Sequence, residues 1–253
     1  MRLRSTAGVN PLLADPSVLH TGGLEGDPAA TPANLPLLAP GDARVDPLVA
    51  AAFDAGDPYV AKVRKVRAKL LAAARETGGI DGRLRLALLS LHAGDEASIL
   101  SANLATVLAQ MDGPTIVADA DIEQPTLDRL LRLPNSIGLA EQLSGMALRL
   151  PVVPTAIERL WLMPAGQAHN GAASLVEKGS LAEAADRWNL PPANLLVHLA
   201  ERPRGTTAFG NILEKFDAVV LVVRRGVTPV AEMRRIIDDL DRHHVPIAGT
   251  VMH

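Results

Sequence analysis

From residue 84 onward, short apolar runs alternate with longer amphipathic segments. Strands that are apolar on both faces and alternate with helices are typical of a parallel sheet covered on both sides. The sequence therefore predicts an α/β fold with a doubly wound, mostly parallel sheet. The apolar runs predict strands near Leu84–Leu91, Thr115–Asp119, Leu160–Met163, Leu195–Leu199, Ala218–Val223 and Ile247–Met252. Helical spacing of apolar residues predicts helices near Ala97–Met111, Thr126–Leu131, Ser174–Trp188, Thr206–Lys215 and Val230–His243.

The N-terminal part of the chain has a different pattern. Residues 1–48 are interrupted throughout by proline, glycine and aspartate, with neither a helical period nor strand alternation. We expect these residues to form a disordered arm in front of one folded domain over residues 49–253. The folded domain is predicted to begin with a helix that follows Asp57 and stops at Gly78.

Composition and charge exclude several classes of function. The chain has no cysteine, which rules out disulfides, thiolate catalysis and cysteine-ligated zinc. Its 25 basic and 28 acidic side chains give a net charge of −3, whereas general nucleic-acid binders carry a basic excess. No apolar run approaches the roughly 20 residues of a membrane-spanning helix. We therefore expect a cytoplasmic protein whose membrane association is at most peripheral.

The first predicted strand is followed by Gly94-Asp95-Glu96-Ala97-Ser98, immediately before a helix. In a doubly wound sheet, ligands bind outside the carboxyl ends of the strands. A phosphate-binding loop would occupy this position.

Five further stretches, called the family-like stretches below, follow this loop in order; they are Ser101–Ala105, Val117–Asp121, Pro125–Leu127, Leu133–Leu139 and Met163–Gly166. With these stretches the chain resembles the P-loop ATPases of the MinD/ParA type. It resembles more closely the cytoplasmic bacterial tyrosine kinases that work with exopolysaccharide co-polymerases. The resemblance implies a P-loop NTPase fold and a role in polymerising, sizing or exporting a surface polysaccharide. It also implies a partner, either a membrane polysaccharide co-polymerase or an active kinase relative.

The loop departs from the family pattern. Where the family reads Gly-Glu-Gly-Lys-Ser/Thr, the chain has Gly94, Asp95, Glu96, Ala97 and Ser98. The lysine that clamps phosphate is replaced by Ala97, and the second glycine, which lets backbone N–H groups approach phosphate, by Glu96. Two acidic residues would repel a triphosphate and cap the helix themselves. We expect this vestigial loop to bind neither ATP nor magnesium.

The magnesium-binding element of the family is also altered. The aspartate that ends a later strand in the family corresponds here to His198, and a neutral imidazole is a poor magnesium ligand. Asp119, Asp121 and Ser98 remain as candidate magnesium-shell or base residues. We therefore predict a catalytically inactive pseudokinase with no catalytic residue, no cofactor and no metal, acting by protein–protein interaction.

Other functions stay open on the sequence. One is an active ATP-dependent protein-tyrosine kinase or ATPase of the same pathway that uses Asp119 and Asp121. Another is a MinD/ParA-like positioning protein. His92 and His198 could also join the two aspartates as ligands of a transition metal. Because these four residues come from separate strands without short ligand spacing, hydrogen-bonded residues in a vacated cleft are favoured over a metal site.

The first helix resembles the family's Glu-x-x-Arg-x-x-Arg oligomerisation motif, with Ala61 in place of the glutamate and both arginines kept as Arg64 and Arg67. Spacing of i, i+3 sets the two guanidinium groups on one face of the helix. They are predicted to contact carboxylates of a neighbour, in a homo-oligomer or a partner complex. A solvated basic face and an anionic membrane surface are the alternatives.

Overall fold

The computed structural model describes residues 36–77, 83–92, 94–147, 149–167, 176, 180–188, 193–200 and 208–252. The strands are β1 (Arg85–Ser90), β2 (Thr115–Asp119), β3 (Val153–Pro154), β4 (Leu160–Met163), β5 (Asn194–Ala200), β6 (Ala218–Val223) and β7 (Ile247–Met252). The helices are α1 (Pro58–Thr77), α2 (Asp95–Met111), α3 (Leu127–Leu130), α4 (Leu139–Leu143), α5 (Leu181–Arg187), α6 (Phe209–Ile212) and α7 (Val230–Arg242).

Within these residues the strands form one seven-stranded sheet in the order β3-β4-β2-β5-β1-β6-β7. Every neighbouring pair is parallel except β3 and β4, which pair antiparallel at one edge. Helices lie on both faces, because parallel neighbours can be joined only by crossover connections. The predicted doubly wound, mostly parallel sheet is confirmed.

Strand alternation divides the core into two layers. Leu86 and Leu88 of the central strand β1 pack in one apolar cluster with α1 and α2. Ala87 and Leu89 of the same strand pack in the other cluster, with residues of α4, α5, α6 and α7. Both faces of β1 are therefore buried, as its continuous apolar run predicts.

The predicted strand bounds agree closely with the structure, but three helical predictions change. α3 and α6 are single turns, and α6 ends at Ile212 because the chain then reverses through Lys215 in the left-handed region, at φ 68°. α5 begins at Leu181, and most of the predicted helix before it lies outside the described residues. β3 and α4 were not predicted. β3 has two residues and α4 has five, and segments this short show no recognisable hydrophobic period.

The predicted boundary at residue 48 is corrected by the structure. Residues 36–48, assigned to the arm, pack on the folded domain, with Val45 only 1% exposed. The Leu38 N–H donates to the Ala52 carbonyl at 2.8 Å, and the Asp46 N–H donates to the Leu130 carbonyl at 2.9 Å. Residues 1–35 of the predicted arm lie outside the described residues.

Buried amide side chains of α2 hold this segment. Asn103 is fully buried; its amide donates to the Leu48 carbonyl at 2.9 Å, and its oxygen accepts the Ala51 N–H at 2.9 Å. Gln110 donates to the Ala51 carbonyl, also at 2.9 Å. These bonds satisfy backbone groups that no helix or sheet pairs, and they anchor the end of this irregular segment to α2.

α1 packs along α2, β6 and β7 through its apolar side, which includes the buried Val60, Val63 and Leu70. Lys62 and Lys65 lie on its exposed side. With 20 residues it is as long as a membrane span, but its basic face makes it amphipathic. None of the helices in the described part of the chain combines the length and hydropathy that a transmembrane segment requires.

Candidate functional site

The segment between β1 and α2 lies where the phosphate-binding loop was predicted. β1 ends at Ser90, and α2 begins at Asp95 after Gly94, whose φ of 146° favours glycine. A Cβ on Gly94 would lie only 2.5 Å from the Glu96 Oε2 atom. The Glu96 carboxylate is therefore folded back over the loop, close to the backbone that a phosphate would approach.

Ala97, which the sequence analysis assigns to the position of the family's lysine, is fully buried. Asp95 and Glu96 form the first turn of α2, where the partial positive charge of the helix end stabilises carboxylates. The Asp95 side chain is 73% exposed, with its Oδ1 atom 3.9 Å from the Arg129 guanidinium. The N-terminus of α2 thus carries acidic side chains of its own.

A cleft of about 390 Å³ opens beside this loop, at the carboxyl ends of β1 and β5. Arg129 is the one lysine or arginine among the described residues that line it. The lining residues are Ser90, His92, Gly94, Asp95, Ser98, Asp121, Gln124, Pro125, Thr126, Arg129, His198 and Ala200.

His198 lies near the end of β5, in register with Leu88 of β1 and Asp119 of β2. Its side chain is 2% exposed, and burial lowers its pKa from 6.5 to about 4. The imidazole is therefore neutral at neutral pH, because its charged form would lose hydration that no neighbouring carboxylate replaces. A neutral ring provides no negative charge for a magnesium ion.

Two hydroxyl groups of α2 hold the His198 ring in place. The Ser98 Oγ atom lies 3.2 Å from Nε2, and the Ser101 Oγ atom lies 3.0 Å from Nδ1. The Thr126 hydroxyl donates to the Ser98 Oγ atom at 2.5 Å. Ser98, the residue expected to contact magnesium in a P-loop protein, is thus part of a buried chain of neutral hydrogen bonds.

Asp119 and Asp121 stabilise the loop that follows β2. Asp119 is 1% exposed; its Oδ1 atom accepts the Asp121 N–H at 3.1 Å, and its Oδ2 atom accepts the N–H groups of Thr126 and Leu127 at 3.0 Å. The Asp121 Oδ1 atom accepts the Gln124 N–H at 3.1 Å. The structure therefore brings both predicted carboxylates to the same sheet edge as Ser98 and His198, with backbone amides as partners.

In the described ranges, no group of three or more His, Asp and Glu side chains is placed to hold a metal ion. His92 is 7% exposed and lines the cleft with His198 and Asp121. The four candidate ligands therefore share an edge of the sheet but do not converge on one point.

A buried carboxylate that the sequence analysis did not single out joins two of the family-like stretches. Glu141 is 8% exposed; its Oε2 atom accepts the Gly138 N–H at 2.7 Å, and its Oε1 atom accepts the Gln167 N–H at 3.0 Å. The Gly166 N–H donates to the Asn135 Oδ1 atom at 2.7 Å. A glutamate three residues after the helix N-cap is the signal that could have identified this contact.

The structure places Arg64 and Arg67, the predicted interface residues, in contact with other parts of the same chain. The Arg67 guanidinium makes two hydrogen bonds to the carboxylate of Asp112, at the C-terminal end of α2, and these side chains are 18% and 15% exposed. An Arg64 N–H donates to the Ala55 carbonyl at 2.9 Å. Both arginines do share one side of α1, but that side contacts the rest of the same chain.

We compared the chain with known proteins at the levels of sequence and structure. No protein-family model matches it. It is 23% identical over 158 residues to the tyrosine-protein kinase Ptk of Acinetobacter johnsonii, a match over 62% of this chain and 21% of the kinase. The chain therefore spans about a fifth of the length of that relative.

Solved structures match over more of the chain. The chimerical protein CapA2B2 superposes with a TM-score of 0.64 at 20% identity, over 86% of this chain and 93% of the other. The BceF tyrosine kinase domain has a TM-score of 0.62 at 22% identity, over 94% and 97% of the two chains. This chain has the fold of a bacterial tyrosine-kinase domain. The predicted resemblance is confirmed.

The tyrosine-kinase-like fold also matches MinD of Pyrococcus horikoshii, which was solved in complex with Mg-ADP. Its TM-score is 0.53 at 18% identity, over 67% of this chain and 69% of MinD. The predicted P-loop fold of the MinD/ParA type is therefore confirmed. At this level of identity, the likeness shows the fold, and the chemistry has to be argued from the residues present.

Proposed function

We propose that this protein is a catalytically inactive, tyrosine-kinase-like protein that acts by protein–protein interaction in exopolysaccharide or capsule biosynthesis, polymerisation or export. Its partner is a membrane polysaccharide co-polymerase or an active kinase relative, which would hold it at the inner face of the membrane. The observation that carries the proposal is the buried Ala97 at the lysine position, beside the Glu96 carboxylate folded over the loop.

The electrostatics of the loop support the loss of ATP binding. A charge-assisted hydrogen bond contributes about 1.5–3 kcal/mol, and Ala97 cannot make one to a phosphate. Asp95 and Glu96 already occupy the helix end that would stabilise an anion. Arg129 lines the cleft, but it is 68% exposed and faces Asp95. No described residue of the loop itself, residues 92 and 94–98, is a lysine or arginine.

The magnesium position supports the loss of catalysis. Phosphoryl transfer in P-loop proteins uses a carboxylate and a hydroxyl to hold the metal. Here the neutral imidazole of His198 takes the place of the carboxylate and hydrogen-bonds the Ser98 hydroxyl. Asp119, the nearby carboxylate, accepts three backbone N–H groups with its two oxygens.

Isothermal titration of the full chain with Mg-ATP and Mg-ADP tests this proposal. We expect no binding at sub-millimolar nucleotide. A dissociation constant in the low micromolar range, with phosphate release or phosphotyrosine formation, would establish the active kinase or ATPase instead.

A matched variant makes the negative result informative. Glu96→Gly with Ala97→Lys rebuilds the family's loop and is expected to restore Mg-ATP binding but not hydrolysis, because His198 remains. Hydrolysis should require His198→Asp as well. Robust ATPase activity from the two loop changes alone would show that His198 does not occupy the carboxylate position.

The pathway assignment is tested in cells. Deleting the gene is expected to change the amount or chain length of the surface polysaccharide, and the wild-type chain should restore it. A normal polysaccharide with misplaced division septa or chromosomes would instead support the MinD/ParA-like positioning function.

A further inference from the structure

A second feature of the carboxyl edge of the sheet is an exposed surface beside β6 and β7. The turn after β6 leads directly into α7, and Val223 of β6 is in register with Met252 of β7. The start of α7 and the end of β7 therefore lie at the same edge of the sheet. We define the β6–α7 surface as Arg224, Arg225, Val227, Val230, Arg234 and Met252.

Three apolar side chains of this surface point into solvent. Val227 is 57%, Val230 60% and Met252 64% exposed, which makes them three of the four most exposed large apolar side chains in the described residues. Val251 packs against the cluster on the α1 side of the sheet. By strand alternation, Met252 then lies on the α7 side, where Val230 begins the helix.

The turn that presents Val227 has a defined structure. The Arg224 N–H donates to the Thr228 Oγ1 atom at 3.0 Å, and the N–H groups of Val227 and Thr228 donate to the Arg224 carbonyl at 3.1 and 3.0 Å. These bonds hold the apolar side chain outward. Exposed apolar side chains that lie together on a surface are typical of interaction sites.

Basic side chains surround these apolar groups. Arg224, Arg225 and Arg234 are all exposed, although the chain as a whole carries a net charge of −3. The nearest acidic residue along α7 is Glu232, which is half-buried, and exposed acidic residues begin again at Asp238. Along the turn and the first half of α7, the exposed charged side chains are therefore all basic.

We propose that the β6–α7 surface docks on an anionic phospholipid membrane. Valine and methionine at an exposed edge can enter the boundary between headgroups and acyl chains, while arginines bind the phosphates around them. A turn, a helix start and a strand end form an edge and not a groove, which suits a lipid surface better than a peptide. This inference goes beyond the proposed function and stands independently of it.

Vesicle co-sedimentation of the full chain tests the membrane surface. We expect binding to vesicles of equal parts phosphatidylcholine and phosphatidylglycerol, and none to phosphatidylcholine alone. Arg224→Gln with Arg225→Gln should weaken binding about 30-fold, because each basic residue near an anionic surface contributes a factor of roughly five. Val227→Ser with Val230→Ser should also weaken binding, with both arginines intact.

The matched control removes two charges elsewhere. Lys62→Gln with Lys65→Gln on the exposed side of α1 should change binding less than about three-fold, because α1 would not touch the membrane. Circular dichroism checks that each variant is folded. Failure of the wild type to bind anionic vesicles, or equal losses in the α1 control and the arginine variant, would overturn the proposal. Binding to an acidic synthetic peptide but not to vesicles would also overturn it and assign the surface to a protein partner.

Discussion

At the residue scale, the His198 ring is a buried base with two hydroxyl partners and no charged one. Ser98 and Ser101 satisfy its two nitrogens, so the ring is stable as a neutral group. Protonation would place an uncompensated charge between two hydroxyls in the core. His198 therefore stabilises the contact between β5 and α2 only while its ring remains neutral.

The pH dependence of stability follows from this burial. Because the pKa of His198 is lowered from 6.5 to about 4, the unfolded chain takes up a proton in that range and the folded chain does not. The contribution of His198 is therefore complete above pH 6.5 and is lost as the pH falls to 4, by about 3 kcal/mol. Urea unfolding of the wild type between pH 7.5 and 4 should show the loss.

His198→Gln is the control, because it keeps a polar side chain but cannot titrate. Its stability should fall less steeply over the same pH range. If the variant does not fold, NMR titration of the wild-type imidazole provides the same test. A His198 pKa near 6.5 would contradict the expectation.

The ion pair between Arg67 and Asp112 is a second residue-scale prediction. Since both side chains are mostly buried, Arg67→Ala should lower the free energy of unfolding by about 1–2 kcal/mol. Lys65→Ala, on the exposed side of the same helix, should change it by less than about 0.5 kcal/mol. A double-mutant cycle with Asp112→Asn measures the coupling. Equal effects of Arg67→Ala and Lys65→Ala would return Arg67 to the interface hypothesis.

At the scale of elements, α2 connects the candidate site with the N-terminal segment. Its first two turns carry Ser98 and Ser101, which hold His198. Its later turns carry Asn103 and Gln110, which hold residues 48–51. The segment that precedes α1 is therefore fixed to the same helix that forms one wall of the cleft.

A pair of truncations tests where the folded domain begins. Removing residues 1–48 should lower the free energy of unfolding by about 2–4 kcal/mol, because it removes buried Val45 and the backbone bond from Asp46 to Leu130. Removing residues 1–35 keeps all these contacts and serves as the matched control. Urea unfolding compares the two with the full chain. Equal stability of both truncated chains would restore the boundary at residue 48.

At the scale of the whole molecule, the carboxyl edge of the sheet brings together the cleft and the β6–α7 surface. β6 lies next to β1, so the loop before α2 and the turn after β6 are neighbours along this edge. In a P-loop protein, binding of a nucleotide at this edge can be coupled to the binding of partners by the surfaces around it. Because we propose that the loop with Glu96 and Ala97 does not bind nucleotide, we expect no such nucleotide-dependent coupling here.

The association state of the protein should therefore be independent of nucleotide. Light scattering of the wild type is expected to give the same mass with and without Mg-ATP. The variant with Glu96→Gly and Ala97→Lys, in which binding should be restored, shows whether an occupied cleft can alter assembly. A change in the mass of the wild type on adding Mg-ATP would contradict both this expectation and the loss of nucleotide binding.

The sequence by itself determined the order of strands and helices along the chain and the class of the fold. The strand Ala218–Val223 is a continuous apolar run, so its burial on both faces is visible locally. The residues Glu96, Ala97 and His198 are likewise read directly from the sequence. The hypothesis of a lost nucleotide site rests on their identities. Short-range patterns were sufficient because each of these features depends on neighbours in the chain.

The tertiary structure decided which side chains are partners. Ser98 lies 100 residues from His198, and Arg67 lies 45 residues from Asp112, so no spacing rule connects them. Arg67 looked available to a neighbour because helical periodicity assigns a face, whereas only packing decides what that face meets. Residues 36–48 looked fully solvated because they have no period, yet Val45 is buried and the Asn103 amide donates to the Leu48 carbonyl.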